Sequence, residues 1–256
     1  MTVKSTNTNI YGEKRINPLD HLSGKRTVLV ALVAFLIPII VQMFATIGST
    51  FYLVAKGQVD PTQFLNAVNS NFNTVAFFVS ECIGALVVLI LLRKQLKAIL
   101  ENLKSVKNII VIVALTLMSI LVVEGWGMFC NSVLNVGANE NQNIVVGSLD
   151  YLPALSVISV GFIVPILEEV VFRVGIFGLV KRVNKPLAYV LSVFLFAILH
   201  FSFSGNMNVE LLNLPSYIIC GLLLTYTYDK YGLAGSVLAH SINNVVAVVT
   251  ALMFAH

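Results

Sequence analysis

Long apolar runs broken by short clusters of charge dominate the chain. Seven of them suit helices that cross a hydrocarbon core of about 30 Å, which takes roughly 20 residues each. They are Val28 to Val54, Phe72 to Leu92, Ile109 to Leu134, Leu152 to Val180, Leu187 to Phe203, Leu211 to Tyr228 and Leu233 to Ala255. The polar break Ser204 to Glu210, containing Gly205-Asn206, suits a tight turn at the membrane surface. There is no repeat at a fixed period and no low-complexity tract. The pattern predicts an all-α fold, a polytopic transmembrane helical bundle of about seven membrane helices. Residues 1–27 read as a cytoplasmic basic leader and residues 28–256 as a single membrane domain.

Composition sharpens this reading by exclusion. Of 256 residues, 57% are hydrophobic and 11% charged, whereas a soluble domain carries roughly 25% charged residues. Disorder and coiled coil are excluded as well, and barrel strands alternate rather than run apolar for a whole helix length. The net charge of +4 would suggest nucleic acid in a soluble chain, but here the basic residues flank the apolar runs, so no nucleic-acid partner is expected. Their placement sets orientation. Lys4, Lys14, Arg15, Lys25 and Arg26 precede the first segment. Arg93, Lys94, Lys97, Lys104 and Lys107 follow the second, Lys181, Arg182 and Lys185 the fourth, and Lys230 the sixth. The alternate loops hold only Lys56, with Asp60, Glu140 and Asp150. The N-terminus is therefore expected in the cytoplasm and His256 outside. The first apolar run is too long for a signal-peptide core and reads as a retained helix. Cys82, Cys130 and Cys220 are odd in number and far apart, and read as small packing residues.

Charge inside apolar helices is expensive, about 2.5 to 3.5 kcal/mol each on insertion scales, which makes the few such residues the natural candidates for chemistry. They are Glu81, Glu124, Glu168, Glu169, Arg173, His200 and His240, with Asn243 and Asn244 as polar neighbours. The fourth segment, FIVPILEEVVFRVGIFG, is the densest. Glu169 and Arg173 lie four apart on one helix face and can pair. Glu168 is turned about 100° away and has no local cation, which leaves it suited to act as a general base. Pro165 can free a backbone carbonyl and open room for water. His200 stands four residues after Phe196, and His240 four before Asn244; imidazole can help a carboxylate deprotonate water or donate to an oxyanion, and Asn is a neutral donor. Structural readings stand beside these: Glu169 and Arg173 as a staple, the histidines as interhelical hydrogen-bond partners, Glu81 and Glu124 as pairs with neighbouring helices. Trp126 reads as a packing or interface residue and Asn139 to Asn143 as a solvated external loop.

The ordered set Glu168-Glu169 to Arg173, Phe196 to His200 and His240 to Asn244 resembles the CAAX-protease and bacteriocin-processing family of intramembrane proteases (CPBP, Abi), whose signature is EExxxR, FxxxH and HxxxN on successive membrane helices. The resemblance covers about residues 152–256, placing the catalytic residues on the last four helices. It implies a membrane endopeptidase in which Glu168 and His200 activate water, His240 and Asn244 stabilise the oxyanion, and Glu169, Arg173 and Phe196 support the site. It implies a peptide or membrane-protein substrate met in the lipid bilayer, in a setting such as bacteriocin or signal-peptide processing or self-immunity. No cofactor is favoured. Zinc, if bound, would take Glu168, His200 and His240, although no HExxH is present to fix two ligands on one helix face. Two alternatives from other classes are a non-catalytic scaffold or immunity protein binding a toxin, transporter or sensor, and a small proton-coupled carrier, which would call for inverted repeats that the sequence lacks.

Overall fold

A computed structural model describes residues 17–57 and 70–254. Lys4, Lys14, Arg15, Asp60, Ala255 and His256 lie outside the described residues. Among the described residues every regular element is helical. The long helices are α1 (Gly24–Ala55), α2 (Ser70–Leu92), α4 (Val106–Leu134), α6 (Pro153–Val180) and α8 (Met207–Phe254). Shorter ones are α3 (Leu96–Leu100), α5 (Glu140–Tyr151) and α7 (Lys185–Leu199). Among the described residues, five helices are long and apolar enough to cross a membrane, and α7 is a shorter apolar one. The protein is a multi-pass membrane protein.

All seven apolar runs are helical, but the end of the fifth differs from the expectation. The sixth and seventh are the two arms of α8, which breaks at Gly232, where φ is 70° and ψ is −171°, between their expected ends at Tyr228 and Leu233. That left-handed geometry suits glycine, and the carbonyl of Tyr231 beside it accepts a bond from Asn102 Nδ2 at 2.9 Å. The fifth run was expected to continue to Phe203. Instead α7 stops at Leu199 and leaves His200 at its C-cap. The segment Asn139 to Asn143 is not a solvated loop, because Asn139 is buried and builds a capping box with Gln142 that starts α5.

Lipid-facing and protein-facing sides separate cleanly. Phe44, Leu86, Leu121 and Val190 point outward, as apolar surface must where the solvent is hydrocarbon. The core joins α1, α2, α6 and α8 through Val30, Val88, Leu167, Val170, Val174, Phe177 and Tyr228. Helix contact in lipid depends on small residues that let backbones approach. A Cβ built on Gly175 would stand 2.6 Å from Ala31 Cβ, so only glycine permits the α1 to α6 crossing as it stands. Hydroxyls tie α6, α7 and α8 together: Ser192 donates to the Phe172 carbonyl at 3.1 Å and lies 3.3 Å from the Thr225 hydroxyl. Cys130 and Cys220 are buried packing residues, while Cys82 is half-buried.

Candidate active site

The peculiarity of α6 is its backbone. Two π-helical stretches, Ser159–Ile163 and Val170–Phe177, enclose the α-helical Val164–Glu169, and such π turns are frequent at functional sites. Val164 N–H reaches back five residues to the Ser159 carbonyl. In that register the partner of the Val160 carbonyl would be the N–H of residue 165, which is proline and has none. Asn244 Nδ2 donates to this carbonyl instead, at 2.9 Å. The freed carbonyl expected from Pro165 thus exists, and a side chain of α8 fills it. Asn244 was expected to have its amide free for a reacting oxyanion; one of its N–H groups is already spent on α6.

Glu169 and Arg173 are both fully buried, with Arg173 Nε 3.3 Å from Glu169 Oε2. The pair is not aligned as a hydrogen bond, and Arg173 Nε and Nη1 have no hydrogen-bond partner among the described residues. The guanidinium lies 4.7 Å from the Phe196 ring centroid, and its Nη2 donates to the Gly221 carbonyl at 3.3 Å. The other carboxylate oxygen, Oε1 of Glu169, lies 3.0 Å from His240 Nδ1. A carboxylate paired with arginine accepts, so His240 Nδ1 carries the hydrogen and Nε2 is left for other work.

His200 is oriented in the same way. Its Nδ1 lies 2.8 Å from the Phe196 carbonyl, which can only accept, so this nitrogen is also the N–H. Both remaining Nε2 atoms face Glu168: His240 at 3.6 Å from Oε2 and His200 at 4.0 Å from Oε1. Glu168 has no local cation, as its sequence neighbourhood suggested, and the nitrogens that face it come from the end of α7 and from α8. Its side chain is 27% exposed, against 0% for Glu169. The adjacent carboxylates are thus split between an interior pair and a wall. Phe196 lies at the hub, 4.5 Å from the His200 ring and 5.8 Å from the His240 ring.

The wall belongs to a cavity of about 720 Å³, lined by Glu168, His200, His240, Asn243 and Asn244 together with Glu81 of α2 and Glu124 of α4. Glu81 and Glu124, read either as lining a cavity or as pairing with neighbouring helices, are both lining residues. Trp126 is a packing residue, donating to the Leu212 carbonyl at 2.7 Å. The sequence reading missed Tyr217, which stacks on His200 with ring centroids 4.8 Å apart. It also missed the buried Glu210, whose carboxylate accepts from Ser202 N–H at 3.1 Å and Glu140 N–H at 2.9 Å. The asparagine three residues before Gln142, a capping-box spacing, was the one local signal of order there. Among the described residues, no three His, Cys, Asp or Glu side chains are grouped to hold a metal ion. The Glu168, His200 and His240 set thus does not fit a three-ligand site as placed.

Residues 150–246 match the family described as type II CAAX prenyl endopeptidase Rce1-like. The likeness is confined to this segment, less than half of the chain. The Rce1-like segment contains Glu168, Glu169, Arg173, Phe196, His200, His240 and Asn244, in agreement with the resemblance carried by the motifs, whereas Glu81, Glu124 and Asn139 precede it. An uncharacterised protein of Mycoplasma capricolum is 34% identical over 45% of this chain and 35% of its own length. The UPF0177 protein YxdF of Lactococcus lactis is 33% identical over 38% of this chain and 49% of its own. The chain thus spans about a third to a half of the length of these curated relatives. No solved structure matches.

Proposed function

We propose that this chain is an intramembrane endopeptidase that hydrolyses peptide bonds of a membrane-associated peptide or protein, with Glu168, His200, His240 and Asn244 as its reacting groups. The observation that supports it most is the convergence of two imidazole Nε2 atoms on one cavity-facing carboxylate. The likeness of residues 150–246 to prenyl endopeptidases points the same way. Glu168, assisted by His200 Nε2, takes a proton from water as the water oxygen bonds to the scissile carbonyl carbon. His240, as an imidazolium held at Nδ1 by Glu169, donates from Nε2 to the oxyanion, and the remaining N–H of Asn244 adds a second donor. The C–N bond then breaks, and Glu168 returns its proton to the leaving amine. The setting proposed is maturation of a bacteriocin or signal peptide, or self-immunity.

The reading uses the three side chains as base and donors and assigns no resident metal. The test is purified protein in bilayers with a panel of membrane-active peptide precursors, products being read by mass spectrometry with and without chelator. A discrete internal cut, unaffected by chelator, is expected. Activity lost to the chelator and restored by zinc would replace the imidazole donors with ligands at Glu168, His200 and His240.

The proposed orientation places the loop after α2 in the cytoplasm and the start of α5 outside. Cysteine placed at exposed Lys97 should react with an impermeant reagent only after permeabilisation, and one at exposed Asn143 from intact cells. The reverse labelling pattern would overturn the orientation.

A further inference from the structure

Outside the reacting groups, a polar cluster lies where the start of α5, the turn after α7 and the start of α8 meet. Glu210 is 1% exposed and accepts N–H bonds from Glu140, Ser202 and the Asn139 side chain, the last at 3.4 Å. Burying a carboxylate away from a cation is costly, and three donors on it offset that cost. The acceptance from Ser202 ties down the chain two residues beyond His200. Gly205 in the same turn lies so close that a Cβ there would meet Glu210 Oε1 at 3.0 Å. Asn139 in turn accepts from the Tyr217 hydroxyl at 3.2 Å, and Asn141 Nδ2 donates to that hydroxyl at 3.2 Å. The Tyr217 ring lies against His200, nearly parallel at 25°, and Phe196 packs against His200 at 42°.

We infer that Tyr217, held by Asn139 and Asn141 and anchored through Asn139 to Glu210, is the positioning residue that aims His200 Nε2 at Glu168. The reason is geometric. His200 stands at the end of α7, where the helix no longer constrains its neighbours, and one bond from Nδ1 to the Phe196 carbonyl leaves the ring free to swing about that contact. Two aromatic faces remove this freedom, and Tyr217 is the one whose own orientation is fixed by hydrogen bonds. Asn139 and Asn141 lie before the Rce1-like segment, so the preceding part of the chain takes part in aiming a residue of that segment.

This inference rests on the reading of His200 as a reacting group, and the test separates the two. In full-length protein labelled with ¹⁵N-histidine, the His200 resonance is assigned by its loss in His200→Gln. Wild type is expected to show a single Nδ1–H tautomer for His200, Tyr217→Phe a small admixture of the other tautomer, and Tyr217→Leu a full mixture. In the cleavage assay, Tyr217→Leu should lower kcat by about 10- to 100-fold with KM nearly unchanged, the scale expected of a misplaced reacting group. Tyr217→Phe, which keeps the ring but loses both tethers, should fall between wild type and Tyr217→Leu. Asn139→Ala, which leaves the hydroxyl only Asn141, should fall between wild type and Tyr217→Phe. An unaltered His200 tautomer together with unaltered kcat in Tyr217→Leu would overturn the positioning role while leaving the peptidase reading intact. A tautomer shift in protein that cleaves nothing would do the opposite.

Discussion

Glu168→Gln is expected to abolish peptide cleavage, with a loss of at least about 10² to 10⁴-fold, the contribution of a positioned general base. Gln keeps the length and shape of Glu and still accepts a hydrogen bond, but it cannot take a proton from water. The side chain faces the cavity and is 27% exposed, and its nearest nitrogens, at 3.6 and 4.0 Å, are beyond direct hydrogen-bond range. The amide therefore strands no tightly bound partner, and the variant should insert, melt and elute as wild type does. Thermal melting of the purified variant beside its cleavage rate checks both halves. Cleavage at the wild-type rate would remove Glu168 from the chemistry.

Arg173→Ala is expected to act on the fold itself and cost about 3 to 5 kcal/mol, because it takes the guanidinium away from the buried Glu169 carboxylate. Both side chains are fully inaccessible, and the guanidinium also fills the space against Phe196. Glu169→Ala strands the arginine instead and deprives His240 Nδ1 of its acceptor, so the same instability should appear with His240 released. Because each single change breaks the same buried pair, the double variant should be less destabilised than the sum of the two, and a double-mutant cycle measured by refolding from denaturant gives that coupling. Single variants as stable as wild type would mean that the pair does not hold α6.

Much of this arrangement is legible in the sequence, for identifiable reasons. Apolar run length is a local property, and every run forms helix. Glu169 and Arg173 meet because four residues on one helix are neighbours whatever the rest of the chain does. What is not legible depends on contacts between distant residues. Glu210 looks like a polar residue at a break until Asn139 and Glu140, about 70 positions away, close on it. Asn244 reads as a free amide because its partner, the Val160 carbonyl, is released by a π register that no spacing rule announces. The two carboxylates are adjacent in the chain, yet helices α7 and α8 decide which is interior and which faces the cavity. The break at Gly232, by contrast, falls in the gap expected between the runs that end at Tyr228 and begin at Leu233.

The central claim, that water activated at Glu168 hydrolyses a peptide bond within the membrane, is tested most directly by single-turnover cleavage of a bilayer-embedded peptide in H₂¹⁸O. Wild-type protein is predicted to release a fragment whose new terminal carboxylate carries the label, and Glu168→Gln, inserted to the same extent, to leave the peptide intact. Intact peptide from the wild type, or equal labelled product from Glu168→Gln, would contradict it.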